Sequence, residues 1–78
     1  MLYGGLRYSG DVLSLRVNGE IRAIECGMTL QEFLESNNMV LPFMAVARNG
    51  EVLHKHEYPT VLLEDGDRIE VVRMVGGG

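Results

Sequence analysis

Apolar and polar residues alternate through "VLSLRVNGEIRAIEC", from Val12 to Cys26, on both sides of an Asn-Gly pair. Leu13, Leu15 and Val17 share one face before the pair, and Ile21 and Ala23 follow it. A period of two is that of a β-strand. Asn-Gly between two such runs predicts a hairpin, because both residues tolerate the positive φ of a type I′ turn. The period then changes. In "TLQEFLESNN", Leu30, Phe33 and Leu34 fall at i, i+3 and i+4, the single apolar stripe of a helix that lies on a sheet. Thr29 followed three residues later by Glu32 is a capping-box pattern at the helix start, and Asn37 and Asn38 end the helix. After Pro42, "FMAVARNGEVL" reads as a third strand, a second Asn-Gly turn at Asn49 and Gly50, and a short fourth strand. Both Asn-Gly pairs are taken as hairpin signals and nothing more.

"HKHEYPTVLLEDGDRIEVVRMV" supplies a short irregular stretch, an acidic turn from Glu64 to Asp67 with Gly66 free to take positive φ, and a strand from Arg68. In that strand Ile69, Val71, Arg73 and Val75 share one face, while Arg68, Glu70, Val72 and Met74 share the other. The order ββαββ, a connection, then β describes an α+β roll: a mixed sheet of about four to five strands with one main helix across one face. The helix is the kind of crossover that parallel neighbours require, so the last strand is expected to be central and parallel to the first.

The 78 residues amount to one domain, near the lower size limit for a core without disulfides or metal. With 46% hydrophobic and 23% charged residues the composition is that of a folded globular chain. A net charge of -4 and a pI near 5.0, with seven basic residues scattered, exclude a phosphate-binding surface and hence nucleic acid as a partner. Cys26 can form no internal disulfide and no zinc site alone, and a lone cysteine at a strand end fits a small buried apolar residue. His54 and His56 in "HKH" fit a solvated edge, and "EDGD" lacks the further oxygen ligands of a calcium loop, so no metal is expected. Gly4-Gly5 lacks the preceding strand and following Lys of a nucleotide loop. There is no signal-peptide pattern, no run near the ~20 apolar residues of a membrane span, and thus no membrane partner. A reducing, cytoplasmic setting is expected. No Ser-His, Cys-His or paired-carboxylate arrangement suggests an enzyme.

Three parts are expected: an N-terminal arm at 1–11, a domain at 12–75, and a flexible glycine tail at 76–78. Glycine loses more chain entropy on ordering than any other residue, so Gly76, Gly77 and Gly78 after a strand need a reason. A tail without Cβ atoms threads a narrow channel in a partner, and from Met74 onward it reaches about 17 Å when extended. Its terminal carboxylate becomes an electrophile once adenylated. Val72 and Met74, on the face away from the helix, are either an apolar docking surface beside that tail or packed against the arm.

Taken together, "VNGE", "TLQEFLE", "AVARNGEVL" and "LEDGDRIEVVRMVGGG" resemble the ThiS-type ubiquitin-like sulfur carriers of thiamine thiazole synthesis, within the ThiS/MoaD β-grasp group, from about Leu13 to Gly78. The resemblance implies a β-grasp fold and a carrier that is no enzyme itself and binds no cofactor. A partner adenylating enzyme of the ubiquitin-activating kind would use ATP on the carboxylate of Gly78. A sulfurtransferase or cysteine desulfurase would supply sulfur, and thiazole synthase would receive it from the thiocarboxylate. Gly77 and Gly78 match the family's terminal pair; Gly76 is a compatible extra glycine, and the arm departs from the compact bacterial pattern. Other roles for the same tail stay open: the small subunit of molybdopterin synthase, which tends to carry a proline segment absent here, a carrier for tRNA thiolation, or a conjugating modifier. A β-grasp binding module with an idle tail is the reading from a different class.

Overall fold

The computed structural model describes residues 12–74. The expected arm, and Val75 with the glycine tail, lie outside the described residues. The elements are β1 (Val12–Val17), β2 (Glu20–Glu25), α1 (Leu30–Ser36), β3 (Met44–Arg48), β4 (Glu51–Leu53), a 3-10 helix (Lys55–Thr60) and β5 (Arg68–Arg73). They form one sheet in the order β2-β1-β5-β3-β4. β1 and β5 run parallel while the other pairs are antiparallel. The last strand is therefore central and parallel to the first, as the crossover argument requires.

Both hairpins turn at Asn-Gly, with φ of 49° and 86° at Asn18 and Gly19 and 51° and 87° at Asn49 and Gly50. The first pairs Val17 with Glu20, so Leu15 stands opposite Arg22 and Leu13 opposite Ile24. Ile24 thus joins Leu15 and Val17 at the core. Ile21, opposite Arg16, is carried to the other face and is exposed, as is Ala23. A two-residue loop sets this register, and a slip of one residue would reverse it.

α1 has only seven residues, too short to hold itself together in water. Its cap and packing supply the difference. Thr29 Oγ1 accepts from the Glu32 amide at 3.1 Å, and Glu32 Oε1 accepts from the Thr29 amide at 2.9 Å, the expected reciprocal box. Asn37 caps the other end. Leu30, Phe33 and Leu34 are buried against Leu15, Val17, Val46, Tyr58, Leu63 and Ile69, and burial of a side chain such as Phe33 contributes about 1.5–3 kcal/mol.

The stretch expected to be irregular is a 3-10 helix that buries Tyr58. Beyond it, Val61 accepts from the Leu30 amide at 2.8 Å and Leu63 donates to Met28 at 3.1 Å, which ties the helix start to the approach to β5. His54 and His56 are exposed, as expected of a solvated edge, and their rings stack at 5.6 Å. The burial expected of Cys26 is wrong: it is an exposed free thiol. The Gly27 that follows has φ 94°, and the chain turns away from the sheet before the core-facing period of α1 begins.

Candidate functional site

β5 leads directly to the glycine tail, so the features that hold β5 decide how firmly the tail is based. Its first anchor is Asp67, whose carboxylate is almost fully buried, at 5% exposure. Oδ2 accepts from Arg48 Nε at 3.0 Å and from the Glu64 amide at 2.9 Å, and Oδ1 accepts from Asn49 Nδ2 at 3.1 Å. Arg48 Nη2 pairs with the same carboxylate at 2.9 Å and also donates to the Leu62 carbonyl at 3.3 Å. Burial pushes the Asp67 carboxyl up, but the Glu64 amide, Asn49 and the Arg48 guanidinium together outweigh it and hold the group below the usual carboxylate value of 3.8. The "EDGD" segment is the expected turn, with Gly66 at φ 88°. What its pattern did not reveal is that its last aspartate is a buried anchor.

Two further anchors come from the asparagines of the hairpin turns. β1 pairs with β5 only at Arg16 with Arg68 and Val17 with Ile69. Past the end of β1, the Asn18 side chain continues the ladder as a backbone unit would: Oδ1 accepts from the Val71 amide at 2.8 Å and Nδ2 donates to the Val71 carbonyl at 3.3 Å. On the other side, Asn49 Oδ1 accepts from the Arg68 amide at 2.9 Å, and the Asn49 amide donates to the Arg68 carbonyl at 2.7 Å. The reading of both Asn-Gly pairs as hairpin signals alone is therefore too narrow. Each asparagine also clamps β5. At the far end the Met74 amide donates to the Phe43 carbonyl at 2.6 Å, and Phe43 holds φ 57°, uncommon for a bulky residue, in presenting that carbonyl.

The two faces of β5 differ as the alternation predicts. Ile69 is buried and Val71 packs against the core, whereas Val72 and Met74 are 58% and 57% exposed. Ala45 stands opposite Val72 and Ala47 opposite Glu70 on β3, and Val52 of β4 stands opposite Ala47. On this face the two alanines of β3 lie between Val72 of β5 and Val52 of β4, both exposed, and Phe43 and Met74 are exposed beside the strand ends. Sequence reasoning picked out Val72 and Met74; it missed Ala45, Ala47, Val52 and Phe43, whose share in this surface depends on strand order. A separate groove at the β2–α1 junction is lined by Glu25, Cys26, Met28, Glu32 and Glu35 and includes no residue of β5. Among the described residues no group of three or more His, Cys, Asp or Glu side chains could hold a metal, and no helix is long and apolar enough to cross a membrane.

A mixed five-stranded sheet with one main helix on one face and a central last strand places the protein in the β-grasp class. The fold matches the crystal structure of the thiamine biosynthesis protein (ThiS) from Geobacter metallireducens with a TM-score of 0.76 at 28% identity, over 85% of this chain and all of that one. The ThiS family profile matches residues 15–78. The chain is 44% identical over 62 residues to the sulfur carrier protein ThiS of Thermus thermophilus, which covers 80% of this chain and 95% of the relative. It therefore belongs to the ThiS family. It also matches the thiazole synthase of Paramagnetospirillum magneticum at 36% identity over 66 residues, 85% of this chain but only 20% of that protein. The chain thus spans about a fifth of the length of that relative.

Proposed function

We propose that this protein carries sulfur for thiamine thiazole synthesis as a thiocarboxylate on Gly78. In the first step a carboxylate oxygen of Gly78 attacks the α-phosphate of ATP in a partner adenylating enzyme, and pyrophosphate leaves. The terminal sulfur of a persulfide on a sulfurtransferase or cysteine desulfurase then attacks the acyl carbon and displaces AMP. A thiol reductant attacks the resulting acyl disulfide, its S–S bond breaks, the thiocarboxylate leaves, and the donor's remaining sulfur ends in a disulfide with that thiol. Gly76 and Gly77, which lack Cβ atoms, suit the narrow channel such an enzyme needs, while Val72 and Met74, beside the alanines of β3, form the docking surface. The protein binds no cofactor of its own; ATP is the partner's substrate.

The observation that carries this reading is that the family match runs through residue 78, so it includes the glycine tail along with the body. The match to a fifth of a protein named thiazole synthase supports thiazole synthase as the acceptor, since a domain like this one is joined there to the rest of that chain. The anchoring of β5 by Asp67, Asn18 and Asn49 supports a firm base for a slender tail.

The test is intact-protein mass spectrometry after incubation with ATP, a sulfur source and the adenylating enzyme of the same organism. The expected result is a mass gain equal to exchange of one oxygen for sulfur, localised to Gly78 and absent when Gly77 and Gly78 are deleted. A deletion variant that folds and is still modified would overturn the assignment. So would an unmodified full-length protein in the presence of an enzyme proven active on another carrier.

A further inference from the structure

The open face of the sheet has a second feature, removed from Val72 and Met74. Arg16 of β1 and Arg68 of β5 are direct register partners on adjacent parallel strands, and both are exposed on the face opposite α1. Like charges placed side by side on a sheet repel. Neither residue belongs to the ion pairs recorded among the described residues, which join Arg48 to Asp67 and Glu64. The Arg68 guanidinium extends over the second hairpin turn, 3.6 Å from where a Cβ on Gly50 would stand. The positive charge is thus spread as a short stripe from β1 across β5 to that turn. It is bounded on β2 by exposed Ile21, opposite Arg16, and along β5 by exposed Glu70.

This stripe stands out against a chain of net charge -4. Glu32, Glu35 and Glu57 lie on α1 and the 3-10 helix; on the open face the carboxylates of β2 and β5 are Glu70, next but one to Arg68, and Glu25, at the far end of β2 opposite Val12. A partner lying along β5 on this face with the tail in its channel therefore meets apolar surface near Met74 and positive charge at Arg68, six residues back along β5, or about 20 Å at the usual rise per strand residue.

We propose that Arg16 and Arg68 form a polar docking element for an acidic segment of the adenylating enzyme, a loop or helix end bearing Asp or Glu, set about 20 Å from the mouth of its tail channel. The proposal rests on the sulfur-carrier reading for the identity of the partner. The chemistry selects protein carboxylates over a polyphosphate backbone, because two guanidiniums beside Glu70 on an acidic protein offer too little positive charge for many phosphates. Paired charges at the rim of an interface mainly steer association and set its salt dependence.

The experiment compares the full chain with Arg16→Ala/Arg68→Ala and Arg16→Lys/Arg68→Lys, measuring affinity for the adenylating enzyme by calorimetry at low and high salt, alongside the mass shift at saturating carrier. The alanine pair is expected to weaken binding about tenfold at low salt, to flatten the salt dependence, and to leave the final extent of thiocarboxylate formation unchanged. The lysine pair is expected to restore most of the salt dependence. The thermal midpoint of the alanine pair should not fall, since repulsion is removed, so a purely structural role would show itself. Unchanged affinity and salt dependence in the alanine pair, with wild type still modified, overturns the proposal and leaves the carrier reading intact. Salt-sensitive self-association of wild type that the alanine pair abolishes overturns it in favour of a second copy of the chain. If wild type neither binds nor is modified by an enzyme active on another carrier, the proposal falls together with the reading on which it rests.

Discussion

The two faces of β5 are built from one alternating stretch, yet they serve opposite ends. On the helix side Ile69 is wholly buried and Val71 joins Phe33, Leu34 and Val46 in packing the domain. On the other side Arg68, Glu70, Val72 and Met74 face outward, over a floor of two alanines from β3. In a chain this small one layer of helix covers one face of the sheet, and that single layer carries the stability. The second face is then free to carry apolar surface for a partner. Substitutions on the two faces should separate cleanly: those on the helix side unfold the protein, and those on the open side leave it folded but impair transfer.

The largest effect is expected from Phe33→Ala, which empties the centre of the core. It should cost about 3–5 kcal/mol, a large part of the stability of so small a domain, and denaturant unfolding would measure it. If the loss were below 1 kcal/mol, the contrast between the faces would be lost with it.

Next comes Asp67→Asn, which leaves Arg48 without its carboxylate and weakens the hold on the start of β5, at a cost of about 2 kcal/mol. Its pH dependence supplies a sharper check. The Asp67 carboxyl sits below 3.8 in the folded protein, so the unfolded chain takes up its proton more readily. The stabilisation it contributes is present above that value and is lost as pH falls through the lower folded value. Unfolding free energy measured from pH 6 downward should therefore decline below about pH 4, and the decline should be shallower in Asp67→Asn.

A smaller loss, about 1 kcal/mol, is expected for Thr29→Ala, which removes one half of the capping box. Thr29→Ser should recover most of it. The smallest stability change, within about 0.5 kcal/mol, is expected for Val72→Ser on the open face. The same variant should raise the concentration of carrier needed for half-maximal adenylation, measured by pyrophosphate release. A Val72→Ser variant that lost stability but kept that concentration would invert the comparison.

Much of this architecture is legible in the chain. The two Asn-Gly turns, the Thr29 to Glu32 box and the Leu30, Phe33, Leu34 stripe depend on residues at most a few positions apart, and the structure contains each as read. The alternation of β5 likewise separated Ile69 and Val71 from Val72 and Met74. The order of elements, with a helix between the first and last strands, was enough to place β5 beside β1 in parallel.

Only the tertiary structure decided the rest, because the partners are distant in the chain. Asn18 reaches Val71 across 53 positions and Asn49 reaches Asp67 across 18, so no local pattern could distinguish a turn asparagine from a clamp on the last strand. Asp67 in "EDGD" has the composition of a solvated turn, and it is the fold that brings Arg48 and Asn49 over it. Ile21 looked like its apolar neighbours until the hairpin register placed it opposite Arg16, on the uncovered face. Cys26, apolar by type, was left exposed because the chain bends at Gly27 before the helix begins. The sequence by itself determined which segments are strand, hairpin turn and main helix, since those are choices among short-range backbone conformations, while the 3-10 helix at Lys55–Thr60, without a clear period, emerged only in the structure. Which side chains are covered, clamped or left to meet a partner was decided by the order and register of the strands, since burial belongs to surfaces that exist only once the sheet has assembled.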